Sequence, residues 1–311
     1  MSPAFHKLQR IFKAPSLWHR VVISINMVVD LPPVLKGGCL GCLSEPKDGL
    51  KSLLNKLFRV IANAGQLEMD CSFVIPAYNE ESFLPHTIKD LKSAITRSGV
   101  FKDWEIIVVD NNSNDRTVEV GLELGAIVVQ EPIRQIARAR NTGAARARGE
   151  MIIFLDADTA VEPETLRQAR EALFSGQAYG GGALIKFDHH QNRFFLGMVI
   201  PAFWNWISKT FRFAAGSFIF CTKKDFISTG GFPQTMYAGE ELGFIRRLKK
   251  INRKSKGRFL ILTNPPVVTS SRKLSWHSKW QMSFYLLLLI IFPFSVRFRK
   301  LCGFWYERPQ S

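Results

Sequence analysis

The stretch Ala137–Thr159 decides the fold, and its sequence is ARARNTGAARARGEMIIFLDADT. Its alanine-rich, basic first half predicts a helix over Ile136–Ala147, because alanine and arginine are strong helix formers. Met151–Leu155 is a continuous apolar run, which is typical of a strand buried on both faces of a parallel sheet. Two aspartates, Asp156 and Asp158, follow where that strand ends. The stretch therefore predicts an α/β protein with carboxylates at the end of a strand.

The two aspartates have two interpretations that this stretch alone leaves open. Carboxylates at positions i and i+2 of an extended chain repel each other unless a positive charge lies between them. A divalent cation that carries a diphosphate supplies that charge, and hard cations prefer oxygen ligands. Alternatively, the aspartates form a solvated acidic turn or an N-cap for a helix after Pro163. The rest of the chain has to decide between the two.

Three earlier segments extend the pattern of a strand followed by a helix. Apolar runs predict strands over Cys71–Pro76, Glu105–Val109 and Ala126–Val129, with helical segments between them. Strands that alternate with helices need crossover connections, which produce a mostly parallel sheet flanked by helices. Ligands of such sheets bind beyond the carboxyl ends of the strands. We expect the polar residues at those ends to converge on one site. These residues are Tyr78, Glu80, Asp110, Asp156 and Asp158.

The sequence lacks the usual nucleotide-binding loops but supplies cations beside the carboxylates. It contains no GxGxxG and no GxxxxGK[ST] pattern, so neither a dinucleotide fingerprint nor a P-loop explains the sheet. Arg138, Arg140 and Arg146 lie on the predicted basic helix, where arginine suits forked contacts to phosphate. A solvated helix face is the simpler explanation for Arg146 and Arg148.

The composition is that of a folded protein with a polyanionic partner. The 311 residues are 46% hydrophobic and 22% charged, which excludes a disordered chain, and the formal net charge is +16. This excess of positive charge indicates nucleic acid, an anionic membrane surface or a phosphate-bearing substrate. The five cysteines, an odd number spread along the chain, favour a reducing compartment over a disulfide framework.

Four sequence blocks resemble the family 2 glycosyltransferases, which have the GT-A fold. In chain order the blocks are FVIPAYNEE (73–81), IVVDNNSNDRT (107–117), ARNTG (139–143) and FLDAD (154–158). Four blocks in this order form a specific pattern, which covers residues 71–160 closely and 161–275 more loosely. The resemblance implies a hexosyltransferase-like enzyme that uses a UDP-, GDP- or dTDP-sugar as donor, with Mg2+ or Mn2+ as cofactor.

The resemblance also implies which residues bind the donor and the metal. The donor nucleotide residues would be Pro76, Tyr78, Glu80, Asp110, Arg140 and Asp156. Among these, Arg140 would lie near the diphosphate, and Asp156 would contact the ribose or metal-bound water. Asp158 would bind the metal, with His277 as a further ligand. A lone histidine is more often structural, so packing is the alternative role of His277.

Two consecutive acids, Glu240 and Glu241, match the family's catalytic position. Inverting members carry Glu-Asp or a similar pair there, and the second acid acts as the catalytic base. This chain has Glu241 where the family has aspartate, so the carboxylate is kept on a longer side chain. The alternative for Glu240 is a purely structural role, because acids are favoured by the dipole in the first turn of a helix.

Two apolar segments outside the predicted sheet concern the acceptor. Phe194–Phe213 combines many aromatic residues with two basic ones, which suits a membrane interface or a lipid-linked acceptor as well as a buried core. Phe284–Phe294 is shorter than the ~20 residues that a spanning helix needs. We expect it to form an apolar helix in the membrane surface, with nearby basic residues toward anionic lipid. A buried terminal helix is the alternative.

The chain is expected to have three parts. An N-terminal extension over residues 1–69 precedes the glycosyltransferase domain over 70–275, and a membrane-surface or packing helix occupies 276–311. In the extension, an apolar helical face over Leu50–Ile61 indicates either packing or membrane association. A third interpretation is that the native chain starts at Met69.

Together these features predict a glycosyltransferase that works peripherally on the cytoplasmic face of a membrane. The Gln-x-x-Arg-Trp pattern of the family's processive synthases is absent, so we expect transfer of a single sugar. The resemblance implies that this sugar goes to an acceptor hydroxyl with inversion. One alternative is a nucleotidyltransferase that forms nucleotide sugars, which would need a glycine-rich loop after the first strand. Another is a non-enzymatic basic module that binds membranes. Carboxylates at the strand ends oppose nucleic acid as a partner.

Overall fold

The structure is a computed structural model of the 311-residue chain, and it describes residues 69–188, 194–272, 276, 281 and 292–306. The predicted N-terminal extension, the candidate metal ligand His277 and residues 284–291 of the predicted terminal helix lie outside the described residues. The predictions for those segments therefore stay predictions.

The first half of the described chain forms a parallel arrangement of strands and helices. Its elements are β1 (Cys71–Ala77), α1 (Leu84–Ser98), β2 (Trp104–Asp110), α2 (Thr117–Glu123), β3 (Ile127–Gln130), α3 (Ile136–Arg146) and β4 (Met151–Leu155). Strand β1 lies between β2 and β4, β3 pairs with β2, and all three pairings are parallel. The four predicted strands and their parallel arrangement are confirmed, and β4 has the predicted bounds.

The second half completes a mixed sheet. Its elements are β5 (Thr159–Ala160), α4 (Pro163–Phe174), β6 (Ala178–Phe187), α5 (Phe194–Phe211), β7 (Phe218–Thr222), α6 (Lys223–Thr229), α7 (Glu240–Ile251) and β8 (Arg258–Thr269). The strand order within the described residues is β3-β2-β1-β4-β7-β6-β8-β5. Strand β7 is antiparallel to β4 and β6, and β5 is antiparallel to β8. The other strands run in one direction, so the predicted mostly parallel sheet flanked by helices is confirmed.

Helices cover both faces of the sheet because its central strands are apolar on both sides. Phe73 and Ile75 of β1 belong to one hydrophobic cluster, which contains buried residues of α1 and α4. Val74, between them in sequence, belongs to the other cluster, which contains buried residues of α3 and α7. The alternation follows from the two-residue period of a strand. It places α3 and α7 on the same face of the sheet, where Arg140 and Glu240 can meet.

Gly143 allows α3 to approach the sheet closely. A Cβ atom at this position would stand 2.3 Å from Val74 Cγ1 and 2.8 Å from Val109 Cγ2. Real Cβ atoms do not approach other atoms this closely, since packed interiors leave no room for overlap. The neighbouring Ala139 and Ala144 are also small and buried. The glycine of the ARNTG block therefore has a packing reason, which the sequence alone did not reveal.

Replacing Gly143 by alanine should lower the stability of the fold. Glycine to alanine in a helix ordinarily stabilises by roughly 1 kcal/mol. Here the added methyl group overlaps Val74, and overpacking typically costs about 1–3 kcal/mol. We expect the melting temperature to fall by about 2–8 °C in thermal denaturation. Ala145→Ser, on the exposed side of the same helix, is the control and should change it little. Unchanged stability of Gly143→Ala would contradict the close packing of α3.

Of the apolar helix predicted over Phe284–Phe294, the structure describes only residues 292–294, and these are not α-helical. The described residues contain no such helix: from Pro293 the chain forms 3-10 turns over Pro293–Arg297 and Arg299–Leu301 and then the short α8 (Gly303–Tyr306). Proline disfavours a helical conformation in the residue before it, and Phe292, which precedes Pro293, is not helical. Among the helices that the structure describes, none is both long and apolar enough to span a bilayer.

Candidate active site

The loops after β1 and β2 are fastened together at the carboxyl edge of the sheet. Asn79 adopts a left-handed conformation with φ of +53°, which asparagine tolerates. Its backbone N–H donates to Ser113 Oγ at 2.9 Å, and the N–H of Asn114 donates to Asn79 Oδ1 at 2.8 Å. The N–H of Glu80 donates to Thr117 Oγ1 at 2.7 Å. These bonds fix the position of Glu80, which is buried.

The residues expected to bind the nucleoside lie beside this loop pair. Pro76 is the next-to-last residue of β1, and Asp110 is the last residue of β2. Asp110 is buried and accepts a hydrogen bond from the backbone N–H of Ser113 at 3.2 Å. The ring of Tyr78 lies under the guanidinium of Arg134, whose Cζ is 3.5 Å from the ring centroid. Adjacent strands thus bring these side chains to one edge.

Arg272 joins the carboxylates of Glu80 and Asp158. Arg272 lies just beyond β8, and its Nη2 is 2.6 Å from both carboxylate oxygens of Glu80 and 3.0 Å from Asp158 Oδ2. The exposed fractions of the three side chains are 11%, 7% and 4%. The backbone is fastened at the same place, since the N–H of Ser270 donates to the carbonyl oxygen of Asp158 at 3.2 Å. A predicted nucleoside contact and a predicted metal ligand therefore share one cation.

A second buried arginine, Arg140 of α3, joins β4 to α7. Its Nη2 lies 3.1 Å from Asp156 Oδ1 and 3.1 Å from the carbonyl oxygen of Gly216, and its Nη1 lies 2.5 Å from Glu240 Oε1. The Arg140 side chain is 3% exposed. Gly216 makes room for it, because a Cβ there would stand 2.6 Å from Arg140 Nη2. Arg140, which the sequence led us to expect at a diphosphate, holds two acidic segments together in this structure.

Glu240 and Glu241 differ in their surroundings. Glu240 is buried, and burial raises the pKa of its carboxyl although Arg140 acts in the opposite direction. Glu241 is half-buried, and burial together with the negative charge of Glu240 raises the pKa of its carboxyl to about 8. A carboxyl group with such a pKa is suited to accept a proton near neutral pH. Glu241 therefore suits the role of a base, whereas Glu240 suits that of a positioning residue.

The donor set around Asp158 fits a divalent cation. Asp156 and Asp158 offer carboxylate oxygens, the ligands that Mg2+ and Mn2+ prefer. The guanidinium of Arg272 on Asp158 indicates that positive charge is stabilised there. In the part of the chain that the structure describes, no three His, Cys, Asp or Glu side chains form a metal-binding group. A cation held here would therefore take further ligands from substrate oxygens, from water or from residues outside that part.

Arg134 is a site residue that the sequence analysis missed. It lies in the loop after β3, so the rule that polar residues at strand ends converge would have included it. Besides covering Tyr78, its Nη2 donates to the carbonyl oxygen of Tyr306 at 2.8 Å. The backbone N–H of Tyr237 donates to the carbonyl oxygen of Val296 at 2.6 Å. The C-terminal segment is thus fastened to the same edge of the sheet.

Comparison with known proteins identifies the family. The profile of "Glycosyl transferase family 2" matches residues 72–231, just over half of the chain. An undecaprenyl-phosphate 4-deoxy-4-formamido-L-arabinose transferase of Pectobacterium atrosepticum is 34% identical over 131 residues, which cover 40% of this chain and 38% of that protein. A dolichyl-phosphate beta-glucosyltransferase of Trichomonas vaginalis is 36% identical over 101 residues, covering 29% and 31%. The match thus spans well under half of these relatives.

Solved structures share the fold at low sequence identity. Mannosyltransferase PcManGT from Pyrobaculum calidifontis, in complex with GDP-Man and Mn2+, has a TM-score of 0.52 and 17% identity, covering 81% of this chain and 72% of that one. S. aureus TarS in complex with UDP-GlcNAc has a TM-score of 0.51 and 19% identity, covering 74% and 66%. At these identities the likeness concerns the fold alone, which is GT-A-like. Because the family profile matches residues 72–231, which include most of the sheet and the residues at the ends of β1, β2 and β4, the chain belongs to glycosyl transferase family 2 and is a glycosyltransferase.

Proposed function

We propose that this glycosyltransferase moves one sugar from a nucleoside-diphosphate donor to a hydroxyl of a lipid-linked acceptor at an anionic membrane surface. The observation that carries the proposal is the meeting of carboxylates from β1, β4 and α7 at one edge of the sheet. Arg140 and Arg272 each join two of these carboxylates. Arg140 joins Asp156 to Glu240, the neighbour of the acid suited to proton transfer, and Arg272 joins Glu80 to Asp158, so the two groups of acids meet around residues 156–158.

The donor, a UDP-, GDP- or dTDP-sugar, would bind beyond β1, β2 and β4. Tyr78 and Asp110 would contact its base and ribose, together with Pro76 and Glu80. Asp158, with Asp156 nearby, would hold Mg2+ or Mn2+. The bound metal would neutralise the negative charge that develops on the departing diphosphate.

Glu241 would act as the general base toward the acceptor. The acceptor hydroxyl gives its proton to the Glu241 carboxylate, while the acceptor oxygen forms a bond to the anomeric carbon. The bond from that carbon to the diphosphate oxygen breaks, and the nucleoside diphosphate leaves with the electron pair. Attack from the face opposite the leaving group inverts the anomeric centre. Glu240, held by Arg140, keeps the first turn of α7 in place for this step.

A lipid phosphate is the second candidate for the attacking group. The names of both curated relatives contain a lipid phosphate, undecaprenyl-phosphate in one and dolichyl-phosphate in the other. A phosphate oxygen is already negatively charged near neutral pH, so it can attack the sugar without losing a proton to a base. The role of Glu241 therefore distinguishes the two acceptors, because only a hydroxyl needs a proton acceptor.

Exposed aromatic side chains on α5 support a membrane location. Phe203, Trp206 and Phe211 are each more than half exposed. The rings of Phe203 and Trp206 stack with centroids 6.1 Å apart. Amphipathic aromatic rings next to basic residues, here Lys209 and Arg212, are typical of a membrane–water interface. The alternative of a buried core therefore does not apply to these three rings.

A second exposed group, which we call the C-terminal patch, also suits a membrane. It combines three phenylalanines that are each at least 60% exposed with three basic residues, and residues 292–306 contain no acid. Its members are Phe292, Phe294, Arg297, Phe298, Arg299 and Lys300. Exposed aromatic side chains beside positive charge match the interface of an anionic bilayer. This patch supports a peripheral location on the cytoplasmic face of a membrane.

Removing two aromatic side chains of the C-terminal patch should weaken membrane binding. Burying a phenylalanine side chain contributes roughly 1.5–3 kcal/mol, so Phe294→Ser with Phe298→Ser should lower the affinity by about a hundredfold or more. The measurement is co-sedimentation with phosphatidylglycerol vesicles, where binding of the wild type should also fall as salt rises. Ile227→Ser, an equally exposed apolar residue outside the patch, is the control. Equal binding by the double variant would contradict the assignment.

Thermal-shift measurements with nucleotide sugars test the proposed donor site. UDP-, GDP- and dTDP-sugars are each added with and without Mn2+, because a bound donor raises the melting temperature by mass action. We expect one nucleotide to raise it in the presence of Mn2+, and the same nucleotide to have little effect on Asp158→Asn. If no nucleotide sugar shifts the melting temperature of the wild type, with or without Mn2+, the proposed donor site is wrong.

A further inference from the structure

Arg272 contacts both acidic and aromatic side chains at the donor edge of the sheet. One of its nitrogens, Nη2, contacts both oxygens of the Glu80 carboxylate and one oxygen of Asp158. The guanidinium also lies over the ring of Phe83, with Cζ 4.0 Å from the centroid, and 5.6 Å from that of Trp276. These contacts hold a positive charge at the carboxylate that the donor metal would need.

The charges of the site explain why a cation is required even before a donor binds. Glu80 comes from the loop after β1 and Asp158 from the end of β4, and both side chains are largely buried. Two negative groups brought together away from water repel each other and lose hydration. Arg272 compensates both at once. A divalent cation at Asp158 would do the same, so the guanidinium and the metal compete for one carboxylate.

We propose that Arg272 occupies the place of the divalent cation in the donor-free enzyme and leaves Asp158 when metal and donor diphosphate enter together. The inference rests on the proposed function, since it assumes a metal-dependent donor site at Asp158. Glu80 makes the exchange feasible, because its two contacts retain the guanidinium while the single contact to Asp158 breaks. The guanidinium N–H that donated to Asp158 is then available to an oxygen of the incoming diphosphate, a suitable acceptor for arginine.

This exchange makes binding of metal and nucleotide interdependent. When metal binds alone, it must displace the Arg272 guanidinium from Asp158, and no new negative group is present to pair with that guanidinium. The affinity of the free enzyme for metal is therefore low. Metal with a nucleoside diphosphate brings negative charge that Arg272 can contact. Arg272 is therefore a positioning residue that suppresses metal binding until the donor is present.

The test measures Mn2+ binding to the full-length protein without nucleotide, by the electron paramagnetic resonance signal of free Mn2+. Arg272→Gln removes the competing charge and should bind Mn2+ about tenfold or more tightly than the wild type. Arg272→Lys keeps the charge and should bind it as weakly as the wild type. Arg258→Gln, an exposed arginine on β8, is the matched control and should leave the affinity unchanged. Equal or weaker Mn2+ binding by Arg272→Gln would overturn the proposal.

A second variant shows where the additional metal binds and guards against poor folding. Adding Asp158→Asn to Arg272→Gln should abolish the gain in Mn2+ affinity, and a gain that persists would overturn the proposal. Loss of Arg272 lowers the melting temperature, but Mn2+ should raise the melting temperature of Arg272→Gln more than that of the wild type. A different result would contradict the proposed function itself: no change in the melting temperature of the wild type when Mn2+ and nucleotide sugars are added together. If the wild type does bind them while Arg272→Gln gains no metal affinity, only the exchange is wrong.

Discussion

Replacing Asp158 by asparagine should reduce sugar transfer by about a thousandfold or more while the protein stays folded. A catalytic metal contributes several kcal/mol of charge stabilisation, and each 1.36 kcal/mol corresponds to roughly tenfold in rate. Asparagine keeps the shape of the side chain. It also leaves Arg272 with both of its contacts to Glu80, so no buried cation loses all of its compensation. The measurement is the release of nucleoside diphosphate in the presence of Mn2+.

The control for this prediction is Asp90→Asn, an exposed acid on α1, which should retain wild-type activity. Near-equal melting temperatures of the two variants would show that loss of transfer reflects chemistry rather than unfolding. A loss of activity of less than about tenfold in Asp158→Asn would be much smaller than the loss expected when a catalytic metal is removed. That result would refute the role of Asp158 as a metal ligand. The site would then have to neutralise the diphosphate with its arginines alone.

Replacing Glu241 by glutamine should lower kcat by about a hundredfold to ten thousandfold if the acceptor is a hydroxyl, the usual contribution of a general base. Glutamine has the size of glutamate but accepts no proton. If the acceptor is a lipid phosphate, the loss should stay below about tenfold, since that group arrives deprotonated. Transfer assays with both acceptor classes distinguish these outcomes. Glu171→Gln, an exposed acid on α4, is the control.

The pH dependence of the same residue gives an independent test. The carboxyl of Glu241 has its pKa raised from the ordinary 4.5 to about 8, and the base must be deprotonated to act. In the wild type, kcat/KM should therefore rise with pH, with a midpoint at about pH 8, and level off above it. Such a rise is expected to be absent in Glu241→Gln. A rise with an unchanged midpoint in that variant would assign the titration to another group.

Stability should change in the opposite direction to activity. Between pH 4.5 and about 8 the folded protein keeps a proton on Glu241 that the unfolded chain releases. The unfolded state then binds fewer protons, so the contribution of this residue to stability falls as pH rises. Glutamine is neutral at every pH and avoids this loss. Glu241→Gln should melt at a higher temperature than the wild type at pH 8.5, and at a similar temperature at pH 4.5.

The sequence predicted the half of the sheet whose elements follow one another in the chain. Runs such as Met151–Leu155 are apolar throughout, which is the pattern of a strand covered on both faces, and the structure confirms them. Strand ends in a parallel sheet lie at one edge, so Glu80, Asp110 and Asp158 were expected at the same place. These inferences succeed because they depend on short-range periodicity and on the geometry of crossover connections.

The pairing of charges within the site could not be predicted from the sequence. Arg272 and Glu80 are 192 residues apart, and Arg140 and Glu240 are 100 residues apart. Which arginine contacts which acid depends on how loops close over these distances and on side-chain conformations. Periodicity carries no information on either. The contacts of Arg140 to Asp156 and Glu240 were therefore not predicted, and its place near the diphosphate stays a prediction.

The direction of the later strands and the conformation of the described C-terminal residues could not be predicted from the sequence either. Strand β7 lies antiparallel between β4 and β6, and sequence periodicity carries no information on strand direction or order. Of the helix predicted over Phe284–Phe294 only residues 292–294 are described, and there a 3-10 turn begins at Pro293 and leaves Phe292 and Phe294 exposed.

The three contacts of Arg140 have a consequence for engineering acceptor preference. Because one guanidinium serves Asp156, Glu240 and the carbonyl oxygen of Gly216, α3, β4, the start of β7 and α7 form one interdependent unit. Changes in such a network are not additive. Transplanting α7 alone from a relative would change the position of the acid that contacts Arg140 while Asp156 and Gly216 stay in place. Chimeras should therefore exchange residues 136–251 as one block, with the junctions outside it.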